Sequence, residues 1–164
     1  MKKHFFIACM VMPTFLLAFA SLARAGPTTV PVSLTFAEPI QPGLVQNCPI
    51  SPQNGLCGSG QVIPFGHATE TVIFGAGCSG SCDLRTINLP RGSITSNEFF
   101  SDFSCPAGKC DHPGRGFPAS GNVDDVIVSG TGVFFGASGD LSGSVHAAGT
   151  AGITHLSGAI TLQS

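Results

Sequence analysis

Short runs in which apolar and polar side chains alternate fill most of the chain after residue 25. Val30, Val32, Leu34 and Phe36 are each separated by one polar or small residue, the period of a strand with one buried face. No segment after residue 25 repeats apolar residues at the three- and four-residue spacing of an amphipathic helix. Further strands are predicted at residues 61–65, 68–74, 84–89, 93–103, 123–129, 132–135, 141–146 and 153–162.

The carboxy-terminal third is the most regular part and predicts an antiparallel meander of strands and tight turns. Eight or nine short strands joined by Gly-rich turns are typical of an antiparallel β-barrel or, alternatively, a β-sandwich. In a closed barrel, alternate side chains of these strands would form an apolar and uncharged lining, with Gly143 and Gly158 adding room. The predicted lining is Val126, Val128, Val133, Phe135, Leu141, Val145, Ile160 and Leu162.

A family resemblance lies within this third. Residues 128–139, Val-Ser-Gly-Thr-Gly-Val-Phe-Phe-Gly-Ala-Ser-Gly, resemble the strand–turn–strand signature of the allene oxide cyclase and dirigent barrel group. In that group a Gly-rich start leads to an aromatic residue and a turn of small residues. The resemblance implies a closed eight-stranded antiparallel barrel whose interior can hold a small apolar molecule, and it assigns no catalytic residue.

The amino-terminal segment has the pattern of an export signal. Lys2, Lys3 and His4 precede an apolar run over residues 5–20, and Ala23-Arg24-Ala25 offers small residues where a signal peptidase reads them. An uncleaved membrane anchor is the alternative, because the run approaches the shortest length that spans a bilayer. We expect cleavage after Ala25 and a single secreted or periplasmic domain at residues 26–164, with no membrane span of its own.

Six cysteines follow the predicted signal, in three close pairs separated by eight, three and four residues. An even number in an oxidising compartment predicts disulfides, and six cysteines allow 15 connectivities. Short separations close most readily, so we expect Cys48–Cys57, Cys78–Cys82 and Cys105–Cys110. Zinc coordination by the last four cysteines is the alternative, since zinc sites also use close pairs.

Charge and composition exclude several function classes. After residue 25 the chain has four basic and nine acidic side chains, a net charge of −5, which argues against a nucleic-acid-binding protein. The chain has no Trp or Tyr, the residues with which exported sugar-binding modules stack on their ligands. No Ser stands in a G-x-S-x-G nucleophile elbow.

Three local motifs invite a chemical interpretation. Residues 75–80, Gly-Ala-Gly-Cys-Ser-Gly, fit a dinucleotide-binding fingerprint, but a strand-like segment follows where that fingerprint needs a helix. His146 and His155 could face each other and bind a metal, although two ligands make a weak site. Asp124 and Asp125 with Asn122 could bind calcium, although the spacing of a calcium loop is absent. We therefore predict no cofactor, metal ion or catalytic residue.

Three functions are compatible with these patterns. The favoured hypothesis is an exported, non-catalytic barrel that binds a small apolar ligand or a partner. The second is an extracytoplasmic structural or envelope protein whose disulfides give protease resistance. The third is a cyclase or dirigent-type enzyme, for which a buried Glu70 or Glu98 beside a cavity would be the sign. The oligomeric state does not follow from the sequence.

Overall fold

A computed structural model describes residues 26–39, 48–50, 54–104, 119–148 and 151–163. The predicted signal at residues 1–25 lies outside these ranges, as do Cys105 and Cys110. Within the described part of the chain, no helix has the length and apolar character needed to cross a bilayer.

Eight antiparallel strands form one closed barrel in which every strand pairs with its neighbours in sequence and β8 returns to pair with β1. The prediction of an eight-stranded antiparallel barrel is confirmed, and the alternative β-sandwich is wrong. The strands are β1 (Thr28–Pro39), β2 (Gly55–Ile63), β3 (Gly66–Gly77), β4 (Cys82–Leu89), β5 (Gly92–Ser104), β6 (Ala119–Gly130), β7 (Ser138–Ala148) and β8 (Ala151–Leu162).

One predicted strand is wrong. The segment at residues 132–135 contains a short 3-10 turn, Gly132–Phe134, which joins β6 to β7. Gly132 adopts a φ of 60°, which a glycine takes at little cost and which ends the extended conformation. The adjacent Phe134 is buried and Phe135 is exposed, so two neighbouring phenylalanines point to opposite sides.

Apolar side chains fill the half of the interior nearest the β2–β3, β4–β5 and β6–β7 turns, which we call the apolar end. Phe65 and Phe134 pack there edge to face, with ring centroids 5.0 Å apart. The strands supply the remaining side chains at alternate positions, as a barrel with one buried face requires. The buried cluster includes Val32, Leu34, Phe36, Val62, Ile87, Ile94, Ile127, Leu141, Leu156 and Ile160.

Of the residues predicted to line the interior, those on β7 and β8 face it, whereas those on β6 and the turn after it do not. Leu141 and Ile160 are buried, and Val145 and Leu162 pack against the buried cluster. The structure instead exposes Val126, Val128, Val133 and Phe135, with 42%, 50%, 38% and 77% of their surfaces accessible.

The error on β6 is a shift of one residue, which moves every side chain to the opposite face. The inward residues of β6 are Ala119, Gly121, Val123, Asp125 and Ile127. The run Val126-Ile127-Val128 is apolar at consecutive positions, so its pattern alone does not fix which face is buried.

Gly143 and Gly158 allow close approach of strands, which corrects the prediction that they add room. A Cβ at Gly143 would overlap the backbone carbonyl of His155 on β8, and one at Gly158 would overlap that of Asp140 on β7. A side chain at either position would therefore collide with the main chain of the neighbouring strand.

Candidate functional site

The other half of the interior contains an arginine surrounded by four carboxyl groups. Arg85, on β4, has 1% of its surface exposed. The carboxyl groups belong to Glu38 on β1, Glu70 on β3, Glu98 on β5 and Asp125 on β6, all of them buried. We call these five residues the carboxyl cluster.

Each nitrogen of the Arg85 guanidinium has a carboxylate partner. Nη1 donates to Glu70 Oε2 and lies 3.4 Å from Glu38 Oε1. Nε donates to Glu98 Oε2 at 2.5 Å, and Nη2 pairs with the same oxygen. Asp125 Oδ2 lies 3.4 Å from Nε. The planar guanidinium thus links β4 to four other strands of the barrel.

Two hydroxyl groups complete the described contacts of the cluster. Thr154 on β8 donates to Glu38 Oε1 at 2.9 Å, and Ser96 on β5 donates to Asp125 Oδ2 at 2.9 Å. Both hydroxyl residues are buried. These bonds supply donors to two carboxyl groups that Arg85 approaches only at 3.4 Å.

Glycines on neighbouring strands leave space for the carboxyl groups. A Cβ at Gly58 on β2 would lie 2.5 Å from Glu70 Oε1 and 3.1 Å from Glu38 Cγ. A Cβ at Gly152 on β8 would lie 3.2 Å from Glu38 Oε2. Two glutamates can therefore meet over Gly58, where any larger residue would have to displace one of them.

The cluster has more acceptors than donors. With all groups ionised, its four carboxylates and one guanidinium have a net charge of −3. In that ionised state three buried oxygens, Glu70 Oε1, Glu98 Oε1 and Asp125 Oδ1, have no hydrogen-bond partner among the described residues. When Glu70 or Glu98 is protonated, its hydroxyl group donates to Glu38 or to Asp125, respectively. An unsatisfied buried acceptor costs free energy, so the site favours anything that brings a donor to these atoms.

Burial raises the pKa of three carboxyl groups. It raises the pKa of Glu98 from 4.5 to about 8, although Arg85 opposes the shift. It raises the pKa of Glu70 well above its usual value, again against Arg85 and with repulsion from Glu38 adding to it. The pKa of Asp125 is also raised by burial. Burial opposes the charge of Arg85, but the surrounding carboxylates outweigh it and raise the pKa of the guanidinium.

Two disulfides lie at the same end of the barrel as the cluster, which we call the disulfide end. Cys48 pairs with Cys57 at the start of β2, and Cys78 pairs with Cys82 across the β3–β4 turn. Both predicted pairings are confirmed, and zinc binding by Cys78 and Cys82 is wrong in this structure. The predicted Cys105–Cys110 link lies outside the described residues.

The other residues singled out from sequence are not brought into the cluster. Residues 75–77 end β3, and Cys78–Gly80 form a short 3-10 turn closed by the Cys78–Cys82 disulfide. Strand β4 follows, so the dinucleotide interpretation lacks its helix. His146 and His155 lie on the exposed face of β7 and β8, where His155 Nδ1 is 2.9 Å from the Thr35 hydroxyl. Among the described residues, no three His, Cys, Asp or Glu side chains are placed to hold a metal ion.

The predicted calcium pair divides between the two faces of β6. Asp125 is fully buried in the carboxyl cluster, whereas Asp124 is exposed opposite Phe99. Asn122 is also exposed, and its amide donates to Asp102 Oδ2 at 2.9 Å. The two aspartates cannot share one ion, because consecutive residues of a strand point to opposite faces.

The sequence predicted an uncharged lining and named Glu70 and Glu98 only as residues whose burial would favour an enzyme. Both are buried, but the cluster that they form with Glu38, Arg85 and Asp125 was not predicted. The sequence does contain a signal for the carboxyl cluster. On three strands a charged residue stands two positions from an inward apolar residue, which places it on the same face. Glu38 follows Phe36 by two residues, Glu70 lies two residues from Ala68 and Val72, and Arg85 precedes Ile87 by two. In each case the charged side chain shares the buried face of its strand.

Comparison of the chain with protein-family models, with curated proteins and with solved structures finds no match in any of the three. The geometry of the barrel and its carboxyl cluster is therefore the basis for its proposed function.

Proposed function

We propose that the protein is an exported, non-catalytic barrel that binds a small ligand at the carboxyl cluster. The observation that carries the proposal is the set of three buried carboxyl oxygens without a partner among the described residues. A ligand with hydrogen-bond donors would satisfy these atoms, and a few convergent polar groups in an apolar surrounding are typical of a small-molecule site. The disulfides at the same end support export, because such bonds persist in oxidising compartments.

The sequence predicts an apolar ligand, whereas the described interior favours a ligand that also has a polar group. The apolar end is occupied by side chains that pack against one another, including Phe36, Leu34 and Phe134. Next to the cluster, Val72 and Val123 are buried apolar residues. A ligand with a short apolar body and a polar head therefore suits the disulfide end better than a purely apolar molecule does.

An enzyme of the cyclase or dirigent type is the second candidate. It is favoured by one observation: Glu98 is buried, and its pKa of about 8 would let it exchange a proton near neutral pH. A structural or envelope role is the remaining alternative, in which the cluster only joins strands. Ligand binding would distinguish the binding protein and the enzyme from the structural protein. Turnover of the bound ligand would distinguish the enzyme from the binding protein.

Dye binding tests the proposal. Three fluorescent dyes with the same short apolar tail would end in a hydroxyl, a carboxylate or a primary ammonium group. We expect saturable binding of at least one dye with one site per chain. Asp125→Asn should weaken it about tenfold, because the change alters the charge and donors of the cluster.

The matched control is Asp124→Asn, which makes the same chemical change at the exposed neighbouring position of β6. This variant should bind the dye as the unaltered protein does. If no dye binds saturably, or if both variants bind alike, the cluster is not a ligand site and the structural role is supported instead.

A further inference from the structure

We infer that the ligand is a small organic cation with N–H donors, such as a primary ammonium or a guanidinium, and that it enters in exchange for protons held by the carboxyl cluster. This inference rests on the proposed function and names its ligand class. The evidence for a cation is the set of three buried carboxyl oxygens without partners among the described residues, and not the number of acidic residues.

The first step is the count of donors and acceptors around Arg85. Its Nε, Nη1 and Nη2 all have carboxylate partners, yet Glu70 Oε1, Glu98 Oε1 and Asp125 Oδ1 have none among the described residues. When the carboxyl groups are ionised, the described residues lack a donor for these atoms, and a second group with several N–H bonds would provide donors and positive charge together. An anion would add acceptors to a site that already has too many.

The second step is the set of groups that face the cluster from the surrounding strands. They are Glu38 from β1, Gly58 from β2, Glu70 from β3, Ser96 and Glu98 from β5, Asp125 from β6, Val145 from β7 and Thr154 from β8. Within the described ranges, Arg85 is the one cationic side chain on this face. The described residues thus leave negative charge that a ligand can neutralise.

The third step concerns the site without a ligand. A net charge of −3 is expensive in a buried site, and protonation removes it. Burial raises the pKa of Glu98 to about 8, so this carboxyl group holds a proton near neutral pH, and burial also raises the pKa of Glu70 and of Asp125. When a cation enters, its charge replaces the bound protons. The carboxyl O–H bonds ionise, and the released protons pass to the buffer.

An organic cation fits better than a metal ion. No three potential ligands among the described residues are arranged for metal coordination. The cluster already holds one guanidinium through paired N–H···O contacts, so its oxygens are placed for N–H donors. Val72 pairs with Arg85 across the β3–β4 ladder, and Val123 is the inward residue next to Asp125 on β6. Both are buried and would contact the apolar part of the ligand.

Calorimetry with the same three dyes tests this inference. The ammonium dye should bind at least about tenfold more tightly than the hydroxyl dye at neutral pH, and the carboxylate dye should bind most weakly. Titration in two buffers with different ionisation enthalpies should show release of roughly one proton per ammonium dye bound. Glu98→Gln should reduce that release, since it removes a group that titrates, and Asp124→Asn should leave it unchanged.

The outcomes separate the inference from the proposed function. If the hydroxyl or carboxylate dye binds as tightly as the ammonium dye, and Asp125→Asn weakens that binding, the ligand site stands and the cation inference is wrong. If the ammonium dye is preferred but releases no proton, the exchange is wrong. If none of the dyes binds, the proposed function itself fails.

Discussion

Arg85 is the residue on which the charged half of the interior depends. Its guanidinium contacts all four carboxyl groups, and its side chain is 1% exposed. An intact buried ion network contributes little net free energy of stabilisation. Removing one partner is nevertheless strongly destabilising, because it leaves a buried charge uncompensated. The carboxyl groups can reduce that cost by taking up protons, so the consequence of losing Arg85 depends on pH.

At the residue scale we predict that Arg85→Met lowers the free energy of unfolding by about 3 to 5 kcal/mol near pH 8. Near pH 5 the loss should be smaller, because protonated carboxyl groups no longer need the cation. Denaturant titration at both pH values measures the difference. Arg91→Met, in the exposed β4–β5 turn, is the control and should change stability little at either pH. An equal loss for Arg85→Met at both pH values would contradict the electrostatic explanation.

At the scale of the element, β6 shows how strand register assigns chemistry to two faces. Glu98 pairs with Asp125 and Asn97 with Val126 across the β5–β6 ladder. This register directs Asp125 and Ile127 inward and Asp124, Val126 and Val128 outward. A shift of one residue would bring Asp124 into the interior and remove Asp125 from Arg85, so the register itself builds the cluster.

The register of β6 predicts opposite results for two adjacent substitutions. Ile127→Asn should destabilise the protein by roughly 3 kcal/mol or more, because it removes buried apolar surface and adds a polar group without an assigned partner. Val126→Asn should stay within about 1 kcal/mol, since Val126 is 42% exposed. Denaturant unfolding of both variants provides the comparison. A larger loss for Val126→Asn would show that the two faces are assigned wrongly.

At the scale of the whole molecule, the barrel interior has two chemically different halves. The apolar end is stabilised by burial of side chains such as Leu34, Ile87 and Ile160, a contribution that does not depend on pH. The disulfide end contains carboxyl groups whose pKa values are raised. The stability of the molecule should therefore depend on pH through one half of its interior.

We predict that the free energy of unfolding decreases as pH rises from about 4.5 to about 8. A carboxyl group with a raised pKa binds more protons in the folded than in the unfolded protein. Its contribution is complete below the unfolded pKa and is lost as pH rises through the folded pKa. The total loss should be of the order of a few kcal/mol. Glu98→Gln should flatten the curve, and stability that increases over this range would contradict the assigned shifts.

The sequence by itself located the eight strands, although it added a ninth at residues 132–135, and it determined the fold class and two disulfides. Regular alternation in β1, β7 and β8 predicted both the extended conformation and the buried face, because a period of two places alternate side chains on one side. In β3 and β4 the pattern predicted the extended conformation alone. Closely spaced cysteines gave Cys48–Cys57 and Cys78–Cys82, since short loops close at low entropic cost. These features depend on local order along the chain, which a sequence records directly.

The tertiary structure decided the face of β6 and the existence of the carboxyl cluster. Val126-Ile127-Val128 is apolar at three consecutive positions, so the local pattern does not fix which of them points inward. The pairing of β6 with β5 fixes it. Glu38 and Arg85 are 47 residues apart and come within 3.4 Å only because the barrel brings β1 and β4 toward a common interior. A charged side chain on a buried face is costly until its partners are known, and those partners come from other strands.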